Sequence, residues 1–151
     1  MFDPDTMQMI YRLTLAAVLG MLVGFEREYR GKPAGLRTYM LVALGAALFT
    51  VMSVESSLGI PYFDPSRIAS QVVVGIGFIG GGLILLKGDR IEGLTTAAGL
   101  WTTAAIGMAT GFGFYTLAIY ATILVLFVLL ILRLLENYIH HGDFSRRDEN
   151  I

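Results

Sequence analysis

The residues able to do chemistry crowd into one stretch, Glu26-Arg27-Glu28-Tyr29-Arg30-Gly31-Lys32-Pro33-Ala34-Gly35-Leu36-Arg37-Thr38, with six charges in thirteen residues. Guanidinium forks and an ammonium beside carboxylates suit recognition of an anion or a charged partner. Arg37 and Thr38 stand at the head of the next apolar segment, and a helix start favours anions. Glu26, Arg27, Arg30, Lys32, Arg37 and Thr38 therefore form the candidate cytoplasmic interaction or anion site. The plainer reading of the same charges is a topology anchor in contact with lipid headgroups. Glu26 and Arg27 also end an apolar segment, within reach of a pair with Lys87 or Arg90. Gly31-Lys32 fails as a phosphate loop. Glu26 stands where that motif needs its first glycine, and Pro33 replaces the Ser or Thr after the lysine.

Elsewhere the motifs speak of packing more than reaction. Gly75-Ile76-Gly77-Phe78-Ile79-Gly80 has GxGxxG spacing but lies in an uncharged apolar segment with no room for a βαβ unit. Gly75, Gly77, Gly80, Gly81 and Gly82 read instead as close helix packing. The rival reading is a helix broken or hinged at membrane depth, since each glycine costs about 1 kcal/mol relative to alanine. Thr95-Thr96-Ala97-Ala98-Gly99 recurs seven residues later as Thr102-Thr103-Ala104-Ala105, with Trp101 between. A heptad shift returns to nearly the same helix face, so Thr95, Thr96, Gly99 and Trp101 join the packing set.

Arg12 is the one charge inside an apolar segment. It either snorkels to the interface or turns inward and pairs with Asp5, Glu55 or Asp64. With Ser70 and Gln71 it outlines a small polar cavity open to the outside. No apolar segment has Asp or Glu near its middle, which argues against a pump built on a central carboxylate. His140, His141 and Asp143 lie in a polar tail without further ligands, so no metal site is expected. There is no cysteine and no nucleophile elbow, and the expectation is a non-enzyme without cofactor.

These residues must be positioned by apolar segments. The 151 residues are 55% hydrophobic and 15% charged, with mean hydropathy +0.67, against about a quarter charged in a soluble domain. A globular core of this size leaves roughly 30% of the unfolded chain's area exposed, too much for such a composition in water. Segments 7–25, 38–54, 68–86, 94–113 and 115–132 meet or approach the ~20 residues that a helix needs to cross a bilayer. Loops after the first and third, with the tail after the fifth, hold nine of the Lys and Arg residues, and only Arg67 lies on the other side. That asymmetry predicts an all-α, multi-pass membrane bundle of five transmembrane helices, N-terminus outside and C-terminus cytoplasmic. Residues 1–136 form the membrane domain and 137–151 a polar cytoplasmic tail. The acidic N-terminus lacks a basic region, so the first segment is expected to stay as a span. The net charge of −1 gives no nucleic-acid signal.

Three stretches together resemble the MgtC/SapB family of bacterial inner-membrane proteins. They are residues 24–38, then 75–82, then Gly93-Leu94-Thr95-Thr96-Ala97-Ala98-Gly99-Leu100-Trp101, in matching order and spacing. The resemblance covers about residues 7 to 135. It implies a small multi-pass domain linked to low-magnesium adaptation, acting on other membrane proteins, among them the F-type ATP synthase, rather than transporting magnesium. Some members continue into an ACT-like C-terminal domain, which a chain ending at Ile151 is expected to lack, as in a general housekeeping member. The resemblance supplies no catalytic or ligand site. The expected partners are the lipid bilayer, other membrane proteins and a second copy of the chain. The alternative is an ion or small-solute transporter using the glycine-rich third segment.

Overall fold

A computed structural model describes residues 3–57, 62 and 64–132, so the tail with His140, His141 and Asp143 lies outside the described residues. The chain is mostly helical. Helix α1 is Pro4–Tyr29, α2 is Leu36–Ser57 and α3 is Ser66–Gly81. A hairpin of β1 (Leu85–Lys87) and β2 (Arg90–Glu92) leads into α4 (Leu94–Gly111) and α5 (Tyr115–Phe127), which continues as a π-helical turn over Val128–Leu132. Pro4 opens α1, where its missing N–H leaves nothing unsatisfied.

Helices Pro4–Tyr29, Leu36–Ser57 and Tyr115–Leu132 are long and apolar enough to cross a membrane. At 16 residues α3 is shorter, about 24 Å at 1.5 Å per residue. The third apolar segment does not run to residue 86 as one helix. It ends at Gly81, where Gly82 caps the last turn through its N–H to the Phe78 carbonyl. The glycines from 80 to 82 terminate α3 rather than hinge it, and the helix is unbroken through Gly75 and Gly77.

The residues beyond turn back as the antiparallel hairpin, in the register Leu85↔Glu92, Leu86↔Ile91 and Lys87↔Arg90. The chain is thus mostly helical, as expected, with one short β-element that the all-α expectation did not include. Its signal is Gly88-Asp89 between extended residues, with Gly88 at φ 61°. Gly93, at φ 90°, closes the hairpin against the segment between α3 and β1, and a Cβ there would run into the Leu83 carbonyl. At the start of α3, Pro65 precedes the first turn. Ser66 is the first helical residue, and its N–H donates to Asp64 Oδ1 at 2.9 Å.

Helix α4 is the hub, packed against α1, α2, α3 and α5. Its buried face carries Thr96, Thr103 and Thr110 at seven-residue intervals, together with Gly99, Gly107 and Gly111. Those glycines let α2 approach at backbone distance: a Cβ at Gly111 would sit 2.6 Å from Thr50 Cβ, and one at Gly107 would strike the Ala43 carbonyl. Gly20 and Gly24 do the same for α1 against α2. With backbones this close, Val23, Tyr39, Leu100 and Ala104 form the central cluster and Leu19, Ile106 and Ala118 a second. In α5 only Ala118 and Thr122 are buried.

Candidate interaction site at the end of α1

Helix α1 stops because Gly31 adopts φ 62°, a conformation that side chains disfavour. The Gly31 N–H then donates to the Glu28 carbonyl and the Lys32 N–H to the Arg27 carbonyl, the paired bonds of a Schellman end. Pro33 follows and prevents continuation. Three residues after Pro33 α2 begins, and the Glu28 carboxylate reaches across to accept the Leu36 N–H at 2.8 Å. The anion seat at the head of α2 is thus taken from within. Arg37 and Thr38 lie inside the first turn of α2, not before it. Gly35 makes room, since a Cβ there would sit 2.7 Å from Glu28 Oε2.

This turn delivers two charges into the bundle. Glu26 is 7% exposed and Arg27 only 4%. Arg27 Nη2 donates to Thr96 Oγ1 on α4 at 3.0 Å, and Tyr39 Oη on α2 donates to the Thr96 carbonyl at 3.2 Å. Thr96 thereby gathers α1 and α2 onto the first turn of α4. Gly99 permits it, because a Cβ there would lie 2.6 Å from Tyr39 Oη. Arg27 Nη1 stands 3.7 Å from Glu26 Oε2, and Arg30 Nε stands 3.6 Å from Glu26 Oε1. Both spacings exceed the 2.7–2.9 Å of a charge-assisted hydrogen bond. Both Glu26 oxygens lack a hydrogen-bond partner among the described residues. The result is a buried carboxylate between two guanidiniums, with lone pairs to spare.

The other predicted residues divide cleanly. Arg30 lies at the rim, 5.9 Å from the Tyr29 ring centroid, and Lys32 and Arg37 are exposed. Glu26 pairs with Arg27 and Arg30, whereas Lys87 pairs with Glu92 across the hairpin at 4.0 Å, so the reach to Lys87 or Arg90 is not used. Of the packing set, Gly80 meets Ala97, while Thr96 and Gly99 are buried as described; Gly75, Gly77, Gly81, Gly82, Thr95 and Trp101 are exposed. Arg12, Ser70 and Gln71 are not brought together. Arg12 Nη1 donates to the Gly111 carbonyl at the end of α4, whereas Ser70 and Gln71 sit on an exposed face of α3. None of the acids considered for Arg12 pairs with it among the described residues.

Sequence reasoning passed over Tyr39, Gly20, Gly24, Gly107 and Gly111. Gly20-x-x-x-Gly24 and Gly107-x-x-x-Gly111 are readable as close-approach spacings. Tyr39 has no such local signal.

Buried charges, long apolar helices and backbone-to-backbone packing through glycine define a helical membrane protein. The family model for the MgtC family matches residues 13–138, and the chain belongs to that family. It is 51% identical to YhiD of Escherichia coli K12 over 82% of this chain and 60% of that protein. It is 46% identical to protein MgtC of Salmonella typhimurium LT2, over 93% of this chain and 59% of that one. Protein SapB of Bacillus subtilis 168 is 41% identical over 75% of this chain and 50% of its own length. The chain thus spans between half and three fifths of these relatives. No solved structure gives a significant match.

Proposed function

We propose that this chain is a non-enzymatic, five-span inner-membrane protein that regulates other membrane proteins in magnesium or envelope homeostasis. Its N-terminus lies outside and its C-terminus in the cytoplasm, following the nine-to-one distribution of Lys and Arg. The observation that carries the reading is the connector between α1 and α2. Arg27 ties its base to Thr96 with Glu26 buried beside it, while Lys32 on the turn and Arg37 at the start of α2 remain exposed next to Gly31 and Pro33. A rigid, charged, outward turn is a recognition surface that loses little entropy on binding. The link to magnesium rests on the MgtC and YhiD names. A second copy packed on α3 belongs to the same proposal, because Gly75, Gly77 and Gly81 have open space where a side chain would be.

The test is photo-crosslinking from positions 32 and 37 in cells. A membrane-protein adduct that disappears in Lys32→Glu/Arg37→Glu supports the reading, and a connector labelled from the periplasm in a cysteine scan of residues 31–35 sinks it.

A transporter is the second reading, favoured by the provisional assignment of magnesium transport in YhiD's name and by a groove of about 960 Å³ between α2 and α3. Its lining, from Leu41 and Phe49 to Val72 and Ile79, is mostly apolar, with Thr38, Arg67 and Gln71 as exceptions, which suits acyl chains better than a hydrated cation. Magnesium flux into proteoliposomes above protein-free vesicles would decide for it.

A further inference from the structure

The opposite end of α1 holds a cation with more donors than the protein uses. Arg12 lies 14 residues before Glu26, about 21 Å along the helix. Its Nη1 donates to the Gly111 carbonyl at 3.1 Å. Its Nε is enclosed and has no hydrogen-bond partner among the described residues, and no carboxylate pairs with it there. Tyr115, at the first residue of α5, has the same deficit, an enclosed hydroxyl with no partner. Its ring is held by an edge-on contact with Tyr11, centroids 5.3 Å apart at 81°. The two groups converge on Gly113. A Cβ there would lie 3.8 Å from Arg12 Nη2 and 4.0 Å from Tyr115 Oη, and at φ 85° the position has none.

With Nη1 committed to Gly111, the open edge of the guanidinium is Nε with Nη2, the fork that grips an oxyanion through two parallel hydrogen bonds. The tyrosine hydroxyl is a third donor beside it. We propose that Arg12 and Tyr115 form a phosphate-binding site over Gly113, between α1, α4 and α5. A carboxylate uses both oxygens on the fork, whereas a phosphate keeps a third for the hydroxyl. The site lies toward the end of a membrane helix, the level at which lipid headgroups carry phosphodiesters. A phospholipid headgroup and free phosphate share this chemistry.

The test uses the full chain in a phosphate-free detergent, with the thermal midpoint as readout. Short-chain phosphatidylglycerol, the matching diacylglycerol, and inorganic phosphate against chloride at equal ionic strength are added separately. The wild-type midpoint rises with a phosphate-bearing additive and not with diacylglycerol. A response to phosphatidylglycerol alone makes the headgroup the source, and a response to inorganic phosphate makes it the free anion. Tyr115→Phe removes only a hydroxyl without a protein partner, so its unliganded midpoint equals or exceeds the wild type while its phosphate-dependent shift falls by about half or more. Arg12→Lys keeps the charge and loses the fork, and its shift falls at least as far; should it fold poorly, Tyr115→Phe decides alone. No shift in the wild type, or a wild-type shift in Tyr115→Phe, overturns the site.

Discussion

Gly99, Gly107 and Gly111 of α4 stand so close to α2 that a methyl group at any of them would meet Tyr39, Ala43 or Thr50, whereas Gly75, Gly77 and Gly81 of α3 face open space. Both helices accept the same propensity penalty. On α4 it is offset by backbone contact and by the Thr96 junction. On α3 nothing within the described chain offsets it. Glycine content therefore says that a close approach occurs, and only the neighbour says where. The α1–α2–α4 triad is complete within one chain. One face of α3 is not.

The contrast can be broken most severely at the charges. Arg27→Ala leaves buried Glu26 with only Arg30 at the rim and removes the donor to Thr96, for an expected loss of about 3 kcal/mol, read as a lowered unfolding midpoint in detergent. Gly107→Ala should cost about 1–3 kcal/mol, because its methyl group is forced against the Ala43 carbonyl, a backbone atom with little freedom to move. Gly75→Ala is the matching change on α3. It should leave the monomer unchanged or stabilise it by up to about 1 kcal/mol. A loss of chemical crosslinking between copies in that variant would assign the open face to a second chain. A destabilised monomer would erase the contrast.

The smallest effect concerns how α3 begins. Hydrogen bonds from Ser66, side chain and N–H, hold the Asp64 carboxyl below its ordinary 3.8. A group whose folded pKa is lowered stabilises the folded state above its unfolded value and ceases to do so as the pH falls through the folded one. Protection of the Ser66 and Arg67 amides, their exchange relative to an unstructured chain at the same pH, should therefore fall below about pH 4, and Asp64→Ala should show the low protection already at neutral pH.

The triad's raw materials were legible, its assembly only partly. The apolar runs and the charged connector announce α1, α2, α5 and the turn between the first two. The heptad of threonines places Thr96 and Thr103 on one face of α4. That Thr96 accepts from Arg27 is invisible locally, since 69 residues separate them. Tyr39 shares that fate, because its role depends on the hole left by Gly99. The hairpin escaped because three-residue strands are too short to show a period of two, and their apolar residues merge with the end of α3. Arg12 was legible as an anomaly, and its neighbours were not, because Gly111 and Tyr115 reach it only through the α4–α5 connection.

The bond from Glu28 to the head of α2 spans eight residues and needs nothing else in the chain. The α1–α2 pair can therefore close while the ribosome is still supplying α3, since short loops close fast and contacts of low sequence separation form early. Arg27 must then wait for α4 to bring its threonine. Until α4 is in place, the α1–α2 pair holds Arg27 without its Thr96 acceptor.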